Sequence, residues 1–353
     1  MTGFVRLSPE QFDTISGIAE PAENALLVGH EEAMTQVATA YRAGRLHHAL
    51  ILSGPPGIGK ATFAFHLARH LVANPVPATA PATFLPPDPS SALFRQIAQG
   101  AHPSILHLTR PANDKTKGFK SAVTVDEIRR INRFLAMTSS DGGYRVAIVD
   151  PADDMNANAA NALLKNLEEP PARTLFVLIA HSPGGLLPTI RSRCQTIKLK
   201  PLDDAALLSV LEGLGTPLPD DTGARRALAE GACGSVRDAL LMTQYGGLDI
   251  AEAMSAALDA EDFDVAQAWR IAEAVSGRDN AVQFSIFNQA ALDLIAGRAR
   301  EAALAGHASR AAARSELWRE VERLAAETDT YNLDKKQHVC AVIERMWQVL
   351  SAR

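Results

Sequence analysis

Cysteine is scarce in this 353-residue chain. The three present, Cys194, Cys233 and Cys340, stand far apart and form no CxxC or Cys/His pair at metal-ligand spacing. Neither a disulfide framework nor a metal knuckle is encoded, and buried thiols in a reducing cytoplasm are the expectation. An excess of basic charge is missing too: 35 Lys and Arg face 40 Asp and Glu, for a formal charge of -5. That balance excludes a broad cationic face that would grip nucleic acid unaided, so any DNA contact is local or shared with partners. Also lacking are a helix-turn-helix signal, a repeat of fixed period, and any apolar run long enough to span a bilayer. The first residues, MTGFVRLSPEQFDTISG, carry no basic-then-apolar signal. The expected location is cytoplasmic, with no membrane contact.

What is present suffices to fill cores. Apolar residues make up 47% and charged ones 21%, and the length suits two or three compact units. In the first two hundred residues, short apolar runs alternate with helical patterns, as in a parallel α/β sheet. The spacing predicts strands at 48–53, 105–109, 145–149, 175–180 and 196–199, with helices at 61–72, 125–137 and 157–167. The stretch NPVPATAPATFLPPDPSS, 74–91, is too rich in helix breakers for a core element and reads as a solvent-exposed insertion. After Pro201 the strands stop and short helical patterns follow, separated by the turn-rich GLGTPLPDD. From about Ile250 the chain is rich in Ala, Leu, Glu and Arg at helical spacing. Three parts are expected: 1–200 as the α/β domain, 201–249 as a small helical lid, and 250–353 as an all-helical domain.

The first strand runs into Gly54-Pro55-Pro56-Gly57-Ile58-Gly59-Lys60-Ala61-Thr62, a GxxxxGK loop that then opens a helix. In that context glycines let successive N–H groups curl around phosphate oxygens, the helix N-terminus adds its positive dipole end, and Lys60 brings a mobile charge. A hydroxyl should follow the lysine to ligate nucleotide-bound magnesium, and here Ala61 offers a methyl group. Thr62 lies about 100° further round the helix and points elsewhere. Two readings stand: weak nucleotide binding, or a loop kept for its shape alone. The second acidic motif is reduced as well. Strand Val146-Ala147-Ile148-Val149 ends in Asp150-Pro151, so Asp150 could hold magnesium through water, while Pro151 replaces the glutamate that would activate the attacking water. Asp153 and Asp154, beyond the strand end, read as capping or solvated residues.

Further on come LLKNLEEPP, the strand TLFVLIA and the triplet Ser192-Arg193-Cys194. Together with GRLHHALILSGPPGIGKAT, AHPSILHLTR and SAVTVDEIRRINRFL, they resemble the bacterial clamp-loader family of AAA+ proteins, and the stator-type members more than the motors that burn ATP. The resemblance spans the chain from about Pro21 to the final helix, most strongly through Ala239. It implies an AAA+ phosphate-loop sheet domain, a helical lid and an all-α collar that joins a hetero-pentamer with motor subunits and a delta subunit. Within DNA polymerase III, that assembly places a sliding clamp on primed DNA. By motif match, Arg193 is the arginine finger reaching a phosphate on the neighbouring subunit, a contribution of about 10³ to 10⁵ in rate. An ordinary ion-paired arginine is the alternative. Ser182 falls at the family's polar sensor, or is a turn residue. Gly234-Ser235-Val236-Arg237-Asp238-Ala239-Leu240 resembles the lid's second sensor, with Arg237 on a phosphate or paired with a carboxylate such as Asp238. Leu27-Val28-Gly29-His30 resembles the adenine-wrapping segment. Many relatives carry a four-cysteine zinc knuckle after the first helix; this chain has no cysteine there, and no zinc is expected.

The candidate nucleotide contacts are therefore Gly54, Gly57, Gly59, Lys60, Thr62, Asp150, Ser182 and Arg237, with ATP as a ligand held weakly or without hydrolysis. A competing reading, an active motor subunit or another phosphate-loop NTPase, calls for Ser or Thr at position 61 and Glu at 151. The purified chain alone is predicted to release phosphate from ATP negligibly in a steady-state assay. Turnover at an ordinary motor's rate would refute this.

Overall fold

A strand covered on both faces reads as an unbroken apolar run, and ALILS and TLFVLIA are buried at every position. They form the middle of a five-stranded sheet in the computed structural model, which describes residues 5–113, 118–136, 143–277 and 280–351. Its strands are β1 (Ala49–Ser53), β2 (Ile105–Leu108), β3 (Arg145–Val149), β4 (Thr174–Ala180) and β5 (Gln195–Lys198). The order is β2-β3-β4-β1-β5, and all four pairings are parallel. Ile51 stands opposite Leu178 on one side and Thr196 on the other. Every expected strand is present to within one residue at each end, where assignments commonly differ.

The helices accompanying this sheet are α1 (Glu31–Arg42), α2 (Lys60–Ala73), α3 (Ala92–Ala98), α4 (Val125–Ala136), α5 (Ala157–Glu168) and the short α6 (Pro188–Arg191). Met137, the expected last residue of α4, lies outside the described residues. Alternate strand residues face opposite sides. Leu50, Leu52, Val177 and Ile179 pack with Phe63 and Leu67 of α2, whereas Ile51, Phe176 and Leu178 pack with Ile128 of α4 and Leu163 of α5. Asn156 caps α5, its side-chain oxygen accepting the N–H of Ala159.

The proline-rich stretch corrects its sequence reading. Val76 and Leu85 are exposed, but Ala80 and Phe84 are buried in the sheet core. The Phe84 ring sits 5.3 Å from Phe63 and 5.2 Å from His70. Tyr41 donates its hydroxyl to the Asn74 carbonyl at the start of the stretch. The helix breakers exclude regular structure without excluding burial, and one aromatic side chain anchors the segment.

Helices α7 (Asp204–Gly213), α8 (Thr222–Ala232) and α9 (Val236–Gln244) follow the sheet, then α10 (Gly247–Leu258), α11 (Val265–Val275), α12 (Ala281–Leu304), α13 (Ala308–Tyr331) and α14 (Lys335–Leu350). The chain divides into two compact units, Met1–Arg237 and Asp238–Arg353. The second has its own core, including Ile271, Phe287, Ile295, Val321, Val342 and Met346. Within it, buried His338 links three helices, with Nδ1 3.0 Å from Thr328 Oγ1 and Nε2 2.7 Å from Asn288 Oδ1. Burial holds its pKa below the usual value.

Phe84→Ala is expected to cost the first unit about 3 kcal/mol, and Leu85→Ala under about 0.5 kcal/mol. Trp269, Trp318 and Trp347 all lie in the second unit. Urea unfolding should therefore be followed by amide exchange in β1 and β4; equal effects of the two substitutions would contradict the anchored segment.

Candidate functional site

Parallel strands leave their carboxyl ends at one edge of the sheet, and loops there collect functional groups. The loop from β1 to α2 is shaped by close backbone approach. A Cβ on Gly54 would lie 2.5 Å from the Leu199 carbonyl oxygen, and one on Gly57, where φ is +74°, 2.1 Å from Ser235 Oγ. The Gly57 carbonyl in turn accepts the N–H of Val236 at 3.0 Å and that of Arg237 at 3.4 Å, capping the first turn of α9. His30, from the GH pair before α1, places Nε2 2.8 Å from the Ile58 carbonyl oxygen. Gly59 precedes α2 with φ +94°.

Lys60 is 3% exposed. Its Nζ donates to the carbonyls of Gly54 at 2.7 Å and Pro55 at 2.5 Å. Burial pulls its pKa down to about 8, against the opposing pull of the Asp150 and Asp153 carboxylates. The loop, the ammonium and the start of α2 fit a phosphate group. Direct ligation of magnesium by the residue after the lysine does not fit, because Ala61 has no donor. Thr62 is buried within α2.

Asp150 ends β3, with Oδ2 3.9 Å from His107 Nε2 on the adjoining strand. Gln11 Nε2 stands 3.3 Å from His107 Nδ1; an amide N–H donated there leaves the ring proton on Nε2, facing Asp150. The buried Pro151 follows across a cis bond. Asp153 is neither a helix cap nor free in solvent, contrary to its sequence reading: its Oδ2 accepts the N–H groups of His181 at 2.9 Å and Ser182 at 2.8 Å, tying the ends of β3 and β4 together. Asp154 pairs with Arg110, Oδ2 to Nη2 2.5 Å. Desolvation lowers the His181 pKa, and the charge of Lys60 adds to that shift. Lys60, Asp150, Asp153 and His181 thus share one small electrostatic cluster, with exposed Ser182 at its margin.

Arg237 is held by a residue 224 positions away. Its Nη1 donates to the Asp13 backbone oxygen at 2.5 Å and lies 3.4 Å from Asp13 Oδ2. Arg193 has a separate setting: Nη2 lies 2.9 Å from Glu168 Oε1 and Nη1 donates to the Thr189 carbonyl at 3.0 Å, with the side chain 37% exposed. Beside it, burial pushes the Cys194 thiol up to about 11, which makes it a poor nucleophile. Gly54, Gly57, Gly59, Lys60, Asp150 and Arg237 therefore come together around one loop, whereas Arg193 stands with Glu168. Sequence reasoning missed His30 as a brace on the loop, Asp153 as a strand tie, and Asp13. For Asp13 no local signal exists, since the pairing is purely tertiary.

Residues 29–203 match a family model described as DNA polymerase III, delta subunit. The DNA polymerase III subunit delta' of Pseudomonas aeruginosa is 40% identical over 49% of this chain and 48% of its own length. The corresponding Escherichia coli subunit is 34% identical over 47% and 46%. The DNA polymerase III subunit tau of Salmonella typhimurium is 31% identical over 77% and 41%. The matched span covers less than half the length of each of these three relatives. Among solved structures, a DNA polymerase III gamma subunit-related protein of Thermotoga maritima aligns over 90% of this chain and 98% of its own, at 15% identity and a TM-score of 0.40. Among the described residues, no helix is long and apolar enough to cross a membrane, and no group of three or more His, Cys, Asp or Glu could hold a metal ion.

The buried lysine makes stability depend on pH. Folding lowers its pKa from 10.5 to about 8, so between those values the unfolded chain binds more protons and stability rises with pH. Lys60→Met should flatten this slope in chemical denaturation at pH 8 to 10. An unchanged slope would show that the ammonium is solvated.

Proposed function

Because residues 29–203 match the family model described as DNA polymerase III, delta subunit, we propose that the chain is a clamp-loader subunit of the delta-prime type. In this reading it is a cytoplasmic stator that joins motor subunits and a delta subunit in a hetero-pentamer. It meets the sliding clamp and primed DNA through that assembly. Residues 201–249 serve as the lid and 250–353 as the collar. The loop around Lys60 takes ATP weakly or holds it without turnover, because Ala61 and Pro151 stand where a magnesium ligand and a water-activating carboxylate are required. Asp150 and Ser182 line that site beside the lysine, and Arg237 approaches it from the lid.

The observation that carries the proposal is the setting of Arg193. Its guanidinium is partly exposed just after α6, steadied on one flank by Glu168 and the Thr189 carbonyl. A planar fork anchored on one edge keeps its remaining N–H donors for a phosphate on an adjacent subunit, where charge develops on the equatorial oxygens during transfer. The exposed ion pair itself is worth no more than about 1 kcal/mol, so its loss leaves the fold intact. The active-motor reading gains nothing from the site, since both replaced groups are its own requirements.

In a complex reconstituted with motor and delta subunits, Arg193→Ala is expected to lower hydrolysis at the one site it faces by about 10³ to 10⁵, with the subunit still folded and incorporated. Arg193→Lys should rescue poorly, because a point charge does not replace the fork. Unchanged turnover and clamp loading would remove the assignment.

A further inference from the structure

The segment before α1 does more than cover the sheet. It is pinned on one side by Ser8, whose Oγ donates to the Ala98 carbonyl at 2.7 Å, and by Glu23 Oε2, which accepts the N–H groups of Leu7 at 2.6 Å and Ser8 at 3.2 Å. On the other side it is pinned by buried Ile15 and by Thr14 Oγ1, which donates to Glu20 Oε1 at 2.5 Å. Between these anchors, three successive residues each engage a group at the site. Gln11 meets His107 at the end of β2. The Phe12 ring lies 4.3 Å from the Arg110 guanidinium carbon. Asp13 takes Arg237 through its backbone and carboxylate oxygens.

The last contact is the informative one. Arg237 follows directly on Val236, whose N–H is bonded to Gly57, and a Cβ on Gly57 would lie 2.6 Å from Arg237 Cβ. The guanidinium is thus rooted on the phosphate loop, yet its acceptors are the Asp13 backbone oxygen at 2.5 Å and, more distantly, the Asp13 carboxylate at 3.4 Å. Partial desolvation and the nearby Asp150 charge push the pKa of that carboxylate up, with Arg237 as the largest opposing influence, although 46% of the Asp13 side chain still meets solvent. A phosphate would offer Arg237 stronger, multidentate acceptors of the same sign. Asp13 and an anionic ligand therefore compete for one donor group.

We infer that residues 11–13 are a built-in competitor at the nucleotide site, with Asp13 holding Arg237 in place of a ligand phosphate, so that nucleotide binds only when this segment lifts. The inference rests on reading residues 54–60 as a nucleotide cradle. Among the described residues, this segment meets the site through an ion pair and a backbone hydrogen bond to Arg237, one cation–π contact and one amide contact, each individually modest. This suits a latch that opens at an energetic cost rather than a permanent seal. The cost appears as a reduction of the apparent affinity by the fraction of molecules already open.

The experiment titrates the full-length chain with an N-methylanthraniloyl ATP analogue and with adenylyl imidodiphosphate. Asp13→Ala and Asp13→Asn are expected to bind about tenfold more tightly or better, the gain that follows when the competent state is a minor one of about 10% or less. Glu10→Ala removes an exposed charge from the same segment and should match the unaltered chain, while Arg237→Ala combined with Asp13→Ala should lose the gain. In the unaltered chain, saturating adenylyl imidodiphosphate should speed amide exchange across residues 8–16. Equal affinity of Asp13→Ala and the unaltered chain, an equal gain from Glu10→Ala, slowed exchange on binding, or no binding by any variant at millimolar nucleotide would each overturn the inference. Assembly with motor and delta subunits is a separate readout, so failure here is distinguishable from failure of the clamp-loader reading.

Discussion

An ammonium group withdrawn from water must be given oxygen atoms, and the carboxyl edge of this sheet is arranged around that requirement. Lys60 begins α2 beneath the loop, where only 3% of its surface meets solvent. The loop answers by turning two of its own carbonyls, from Gly54 and Pro55, onto Nζ. The carboxylates of Asp150 and Asp153 add a favourable field from the ends of the neighbouring strands. Desolvation still wins, which is why the pKa falls. A buried charge of this kind costs several kcal/mol before compensation, so the loop's curl, the strand ends and the lysine form one interdependent arrangement.

That interdependence fixes the loop's shape through the protein's own groups. The loop is held by close contacts within the protein: Gly54 by the backbone just past β5, Gly57 by Ser235 and Arg237, and the Ile58 carbonyl by His30. A side chain on either glycine would drive into backbone or packed atoms. Ala61 packs against the sheet core and Pro151 is buried, and neither side chain offers a metal ligand or a carboxylate. The loop's shape is enforced by its surroundings whatever chemistry it serves.

The parts legible in the sequence were those written locally. Unbroken apolar runs marked β1, β3 and β4, helical spacing marked α2, α4 and α5, and the glycine spacing marked the loop, because each depends on residues a few positions apart. Phe84 was hidden because the breakers around it dominate any local reading, while its burial is decided by Phe63 and His70. Asp153 was misjudged because its acceptor role serves amides at the end of another strand. Asp13 and Arg237 lie 224 residues apart, beyond the reach of any periodicity.

The bond between the Gly57 carbonyl and the first amides of α9 has a mechanical corollary. One peptide plane serves two masters: it belongs to the loop that shapes the cradle, and it terminates a helix that needs an acceptor there. Rotating that plane would strand two donors, the amides of Val236 and Arg237. The curl of the loop and the satisfaction of those two amides therefore hang on one oxygen atom.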